Sequence, residues 1–233
     1  MNYALRYHFP ALIGKWLARA FLNIRVTGKE NIPSCSPFLL ICNHISHFDP
    51  PLLGIVVPHY LAWVVAADLY TNPLLRIFFK WVNAIPINRQ ITDRRAVKEI
   101  LTRLKYKENI GLFPEGGIRF STDSLLYGHP MDKTVAAIAH LAQIPILPAV
   151  ILGSDKLYNY KTWFRKITID IAFAPIISPA QFTGNSTQIR QQINETAANT
   201  IQKLFHEIKE RFQLTPEDLP KSFQIRWAEI HKS

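Results

Sequence analysis

Residues 43 to 49 read Asn-His-Ile-Ser-His-Phe-Asp and follow a short apolar run. His44 and Asp49 lie five positions apart there, a separation that chemistry can use if the chain turns and begins a helix at Pro50. The carboxylate then curls back, holds one ring nitrogen, and leaves the other more basic toward a hydroxyl proton. Two other readings fit the same residues. Asp49 can simply cap the helix that starts at Pro50 and Pro51, with His44 an ordinary loop histidine. His44, His47 and Asp49 can also be metal ligands, because imidazoles three apart beside a carboxylate can close on zinc or iron. No further Cys/His cluster in the sequence completes such a site. Cys42 and Ser46 share the turn without a base of their own, so structural roles are expected for them.

A second signal is Phe-Pro-Glu-Gly-Gly at 113–117. A strand that runs into a proline, a carboxylate and two glycines makes a backbone corner where N–H groups can approach a ligand. A third is Arg89, just past an apolar run in Asn-Ala-Ile-Pro-Ile-Asn-Arg. A guanidinium at a strand end can grip a phosphate through two parallel hydrogen bonds.

The elements that must position these residues alternate between strand and helix patterns. Short apolar runs at 38–42, 60–65, 110–113 and 146–152, with an alternating run at 167–172, read as strands. Asp93 can cap a helix whose inner face is Val97, Ile100, Leu101 and Leu104. Helices are also expected at 133–143 and over a long stripe at 186–213, and Thr215, Pro216 and Asp218 form a helix start of the capping-box type. This alternation predicts an α/β fold, a mixed sheet covered by helices.

The chain has 233 residues, 48% of them hydrophobic and 19% charged, enough to bury a sizeable core and too apolar for a disordered chain. Its 27 Lys and Arg outnumber 17 Asp and Glu, a net charge of +10 that favours an anionic partner. Cys35 and Cys42 are too few for a disulfide scaffold and read as reduced thiols of a cytosolic setting. The uncharged stretches 134–153 and 50–67 are interrupted by prolines and histidines, so no transmembrane helix is expected.

Residues 1–28 read as an amphipathic docking segment. Leu5, Phe9, Leu12, Trp16, Ala20 and Ile24 fall on one side of a helical wheel, with Lys15 and Arg19 beside them, and no acidic residue precedes Glu30. Such a helix suits an anionic membrane surface. Residues 72–82 carry Leu74, Leu75, Ile77, Phe78, Phe79 and Trp81 broken only by Arg76 and Lys80, a second candidate for interfacial contact.

In this order and spacing, NHISHFDP, the apolar run ending in Arg89, FPEGG and IPILPAV resemble the four sequence blocks of the glycerolipid acyltransferases, enzymes that acylate lysophosphatidate and related lysophospholipids. The resemblance covers residues 30–175 or so and makes 29–233 the α/β acyltransferase domain. It implies that His44 is the general base, that Asp49 orients and charges it, and that Glu115 and Gly116 shape the acceptor site. It implies further that Arg89 binds the head-group phosphate and that Pro148 belongs to the acyl-site wall. The sequence departs from the family pattern in places. Asn83 and Pro86 replace a usual glycine and aromatic, and Gly117 and Ile118 push Arg119 one position beyond the usual phosphate-binding arginine.

The implied reaction moves a fatty acyl group from an acyl-CoA or acyl carrier protein thioester to a lysophospholipid hydroxyl, most simply 1-acyl-glycerol-3-phosphate. His44 would deprotonate the hydroxyl for direct attack, and backbone N–H groups near Gly116 and Gly117 would hold the oxyanion. No cofactor is implied, and the expected location is the cytoplasmic face of a membrane. Two competing classes stay open: a metal-dependent hydrolase on His44, His47 and Asp49, and a non-catalytic basic module. No nucleic-acid fingerprint is present in the sequence, so no nucleic-acid partner is expected.

Overall fold

A computed structural model describes Gly14, Ala18 and residues 20–34, 37–91, 93–161 and 166–231. The expected amphipathic helix falls largely outside these residues. Ile24, counted on its apolar side, lies instead in strand β1 (Leu22–Thr27). That strand continues with β2 (Leu39–Cys42), β3 (Leu61–Ala66), β4 (Ile85–Ile87), β5 (Asn109–Leu112), β6 (Ile146–Leu152) and β7 (Ile167–Phe173) in one seven-stranded sheet. The spatial order is β1-β7-β6-β2-β5-β3-β4. From β6 to β4 all neighbours run parallel, while β7 is antiparallel to β6 and β1 runs with β7. The expected mixed α/β sheet is present.

Strand periodicity divides the core into two layers. In β2, Leu39 and Ile41 join one buried cluster, while Leu40 and Cys42 join the other on the opposite face. In β6, Ile146, Val150 and Leu152 go to the first cluster, and Leu147, Ala149 and Ile151 to the second. Helices α3 (Arg94–Lys105), α4 (Thr134–Ala142) and α5 (Ser186–Arg211) cover the first layer with Ile100, Leu104, Val135, Ile138, Ile201 and Phe205. Helix α1 (Asp49–Val56) covers the second with Leu52 and Leu53. Asp93 caps α3 by accepting from the Arg95 and Ala96 amides, as its position predicts.

Three local expectations give way to long-range contacts. Strand β1 pairs residue by residue with β7, and Arg25 forms a two-point ion pair with Asp170 at 2.5 and 2.7 Å. Arg25, inside the stretch 1–28 expected to dock, is therefore tied into the sheet. Strand β7 is buried along nearly its whole length rather than alternating, because α5 and the second core layer sandwich it. Asp218 does accept from the Thr215 amide and hydroxyl, but the chain only turns there; the next helix, α6, is Phe223–His231.

Helix α2 (Pro73–Trp81) buries none of its residues. Leu74 is 77% and Ile77 66% exposed, and Leu75, Phe78 and Trp81 are exposed beside them. An ordinary surface helix turns its apolar residues to the core; this one leaves them in solvent. Among the described residues no helix is long and apolar enough to cross a membrane.

Candidate active site

Apart from Asp49, at the start of α1, and Pro148, inside β6, the predicted site residues follow the carboxyl ends of parallel strands. His44 follows β2, Arg89 follows β4, and Glu115 to Gly117 with Arg119 follow β5. Because β2 and β5 are neighbours, the two specific motifs meet side by side. In open α/β sheets this carboxyl edge is where ligands bind.

The NHISHFD turn closes as the catalytic reading requires. His44 Nδ1 lies 2.8 Å from Asp49 Oδ2, which also accepts the Ile45 and Ser46 amides at 2.8 and 2.9 Å. A carboxylate oxygen already facing two N–H donors accepts from the ring as well, so Nδ1 carries the proton and Nε2 offers its lone pair. Asp49 is fully buried, and the His44 side chain keeps 16% exposure. The imidazole stacks on Phe113 with ring centroids 4.0 Å apart, and Phe113 in turn stacks on Trp63. Asp49 is the first residue of α1 and its side chain does not cap that helix. The capping reading of Asp49 is thereby replaced by the ring-holding one.

His47 takes a different direction. Its Nδ1 lies 2.6 Å from the Tyr158 hydroxyl. Burial, with the nearby His44 ring, lowers its proton affinity against the opposing charge of Asp49. Among the described residues no group of three His, Cys, Asp or Glu side chains could hold a metal ion. Cys42 is buried, and burial followed by the charges of Asp49 and Glu115 pushes its thiol well above the ordinary range, which makes it a poor nucleophile. Ser46 is also buried and its hydroxyl accepts the Phe48 amide.

Glu115 is 8% exposed and faces inward. Its Oε2 accepts the His44 amide at 2.5 Å, and Oε1 accepts the Ser124 hydroxyl and the Leu125 amide at 2.7 and 2.6 Å. Burial raises its carboxyl above the ordinary range, while these donors pull it back. Glu115 thus braces the histidine loop from beneath. Gly116 has φ +65°, in the left-handed region that favours glycine. Its N–H donates to Phe113 O within the turn. Among the described residues the Gly117 N–H has no acceptor.

Arg89 reaches the same corner. Its Nη1 donates to Gly116 O at 2.5 Å, and Nη2 pairs with Asp68 at 3.1 Å. A Cβ on Gly117 would stand 3.2 Å from that guanidinium. Arg119 donates its amide to His44 O, and its side chain is exposed. Pro148 is buried in the middle of β6, opposite Ile41. The sequence reading missed Ser124, nine residues after Glu115, and Asp68 and Ser154, which reach Arg89 and Asp49 from 21 and 105 positions away.

An imidazole held by a buried carboxylate, with its second nitrogen unpartnered among the described residues, has the geometry to accept a proton from a hydroxyl. The sequence pattern of the family described as Acyltransferase matches residues 23–152, more than half of the chain. The chain belongs to that family. Among its relatives, a 1-acyl-sn-glycerol-3-phosphate acyltransferase of Bacillus subtilis is 29% identical over 68% of this chain and 76% of its own length. The enzyme of the same name from Borreliella burgdorferi is 32% identical over 66% of this chain and 58% of its own. The crystal structure of the 1-acyl-sn-glycerophosphate acyltransferase PlsC from Thermotoga maritima shares the fold, with a TM-score of 0.66 over 87% of this chain and 79% of that one at 22% identity.

Proposed function

We propose that this acyltransferase transfers a fatty acyl group from a thioester of coenzyme A or acyl carrier protein to the free hydroxyl of 1-acyl-glycerol-3-phosphate, giving phosphatidic acid. The observation that carries the proposal is the His44–Asp49 pair, with Nδ1 held at 2.8 Å and Nε2 unpartnered among the described residues. An alcohol is far too weak an acid to ionise at neutral pH, so its proton must leave as the carbon–oxygen bond forms. His44 Nε2 takes that proton, and Asp49 stabilises the imidazolium that results. The hydroxyl attacks the thioester carbon directly, the tetrahedral oxyanion collapses, and the thiol leaves with the proton from His44. The Gly117 N–H is the donor for the oxyanion, a contact of a kind worth about 3 kcal/mol. Arg89 exchanges its exposed partner Asp68 for the acceptor phosphate. Arg119 supplies further positive charge beside it.

A long-chain lysolipid stays in the bilayer, since each buried methylene is worth ~0.8 kcal/mol. The enzyme must go to its substrate. The exposed apolar residues of α2, with Arg76 and Lys80 among them, and the basic stretch ahead of β1 dock the protein on the anionic cytoplasmic membrane surface.

The test is incubation of the purified protein with 1-acyl-glycerol-3-phosphate and labelled acyl donors of both kinds, scored by lipid product. His44→Ala should lose about 10²- to 10⁴-fold in turnover with unchanged melting. In the same assay Arg89→Ala should raise KM for the phosphorylated acceptor far more than for 1-acylglycerol. Normal turnover by His44→Ala would refute the assignment of the base.

A further inference from the structure

The loop that carries the catalytic pair supplies donors to only one oxygen of Asp49. Its other oxygen, Oδ1, accepts the hydroxyl of Ser154 at 2.5 Å, from a residue 105 positions later in the chain. Both side chains are fully buried. The last torsion of an aspartate is soft, because rotation about an sp³–sp² bond meets only a broad barrier. Donors on one oxygen alone let the carboxylate plane swing around that oxygen; a donor on each fixes it.

Ser154 is delivered by a turn with little freedom. It follows β6, which lies beside β2, so the two strand ends emerge together at the carboxyl edge of the sheet. Gly153 has φ +84°, and a Cβ there would meet Thr168 O at 2.4 Å, so no other residue fits. The next residue, Asp155, is anchored from α6 by Arg226 Nε at 2.7 Å and from the preceding turn by the Lys221 amide at 3.0 Å. Ser154 lies two positions beyond the matched stretch 23–152. Its complete burial rules out attack on a substrate by the hydroxyl itself.

We infer that Ser154 is a positioning residue for acyl transfer, locking the Asp49 carboxylate so that Oδ2 stays on His44 Nδ1. The inference rests on His44 being the base. Replacing Ser154 by alanine strips Oδ1 of its donor. The carboxylate plane is then free to turn about Oδ2, so the imidazole loses its fixed orientation toward the acceptor hydroxyl.

The experiment compares kcat and KM of wild type, Ser154→Ala and Ser154→Thr in the acyl-transfer assay, with melting measured for each. Ser154→Ala should lose about tenfold or more in kcat, as expected for a lost hydrogen bond to a charged group. KM for the acceptor should change less than about twofold, because the hydroxyl is buried away from the substrate. Ser154→Thr, which keeps the hydroxyl, should restore most of kcat. In an Asp49→Asn background the alanine substitution should have no further effect, since the carboxylate it positions is already gone. If Ser154→Ala fails to fold, Ser154→Cys, of similar size with a weaker donor, gives the same readings. Wild-type kcat, a loss carried mainly by KM, or equal losses in both backgrounds would overturn the inference while leaving the base in place. Full activity of His44→Ala would remove the base assignment itself.

Discussion

Glu115→Gln separates two roles for the glutamate of the FPEGG turn, contact with substrate and support of the histidine loop. Three donors converge on its two oxygens: the His44 amide on Oε2, and the Ser124 hydroxyl and Leu125 amide on Oε1. A glutamine offers one oxygen and one NH2 group. Turned one way, the NH2 meets the His44 amide; turned the other, it meets the Leu125 amide, while the Ser124 hydroxyl can rotate to accept. Either way one buried backbone donor loses its acceptor, at about 1–3 kcal/mol, and the surviving bonds lose their charge assistance. The opposing effect is relief of carboxylate burial, the main cause that raises the Glu115 carboxyl. We set that relief at about 1 kcal/mol, leaving a net loss of about 2 kcal/mol. In a domain of this size that lowers Tm by roughly 4–8 °C. The assay is a thermal melt at neutral pH together with steady-state kinetics against the acceptor. Displacement of the His44 backbone should lower kcat by about tenfold or more, with a smaller change in KM. Unchanged Tm and kcat with only a raised acceptor KM would refute the bracing role and make Glu115 a substrate ligand.

Two other outcomes follow from the surface of the molecule. Ile77→Glu with Phe78→Glu on helix α2 should weaken binding to anionic vesicles by about tenfold per residue, from the apolar area withdrawn, and leave turnover on a soluble short-chain acceptor unchanged; unaltered vesicle binding would exclude α2 from the docking face. Asp218 is held down from 3.8 to about 2, chiefly by its hydrogen bond from Lys156. A depressed carboxylate stabilises the fold above its ordinary value and loses that contribution as pH falls toward its folded value. Asp218→Asn should therefore melt below wild type at neutral pH, with the gap closing between about pH 4 and pH 2; a gap independent of pH would contradict the ion pair with Lys156.

The histidine–aspartate pair was legible in the sequence because it is closed within six residues. A turn followed by Pro50 and Pro51 can bring Asp49 back to His44, and the donors to Oδ2 all come from the same loop. Apolar runs and the Asp93 cap likewise predicted most strands and helices from local physics. Strand β1 shows where that stops: the set that includes Trp16, Ala20 and Ile24 fits a helical wheel, and only pairing with β7, some 145 residues away, draws Ile24 into the sheet. Helix α6 is similar, since Arg226 is buried only because Asp155 awaits it. The same limit governs the site. Strand order decides that Glu115 supports His44, that Arg89 reaches Gly116 and that Ser154 completes the hold on Asp49. Apolar strands carry little in their sequences to name their neighbours, because ladder hydrogen bonds are made by backbone common to all of them. The order is settled only when two buried layers and their covering helices close around the sheet together.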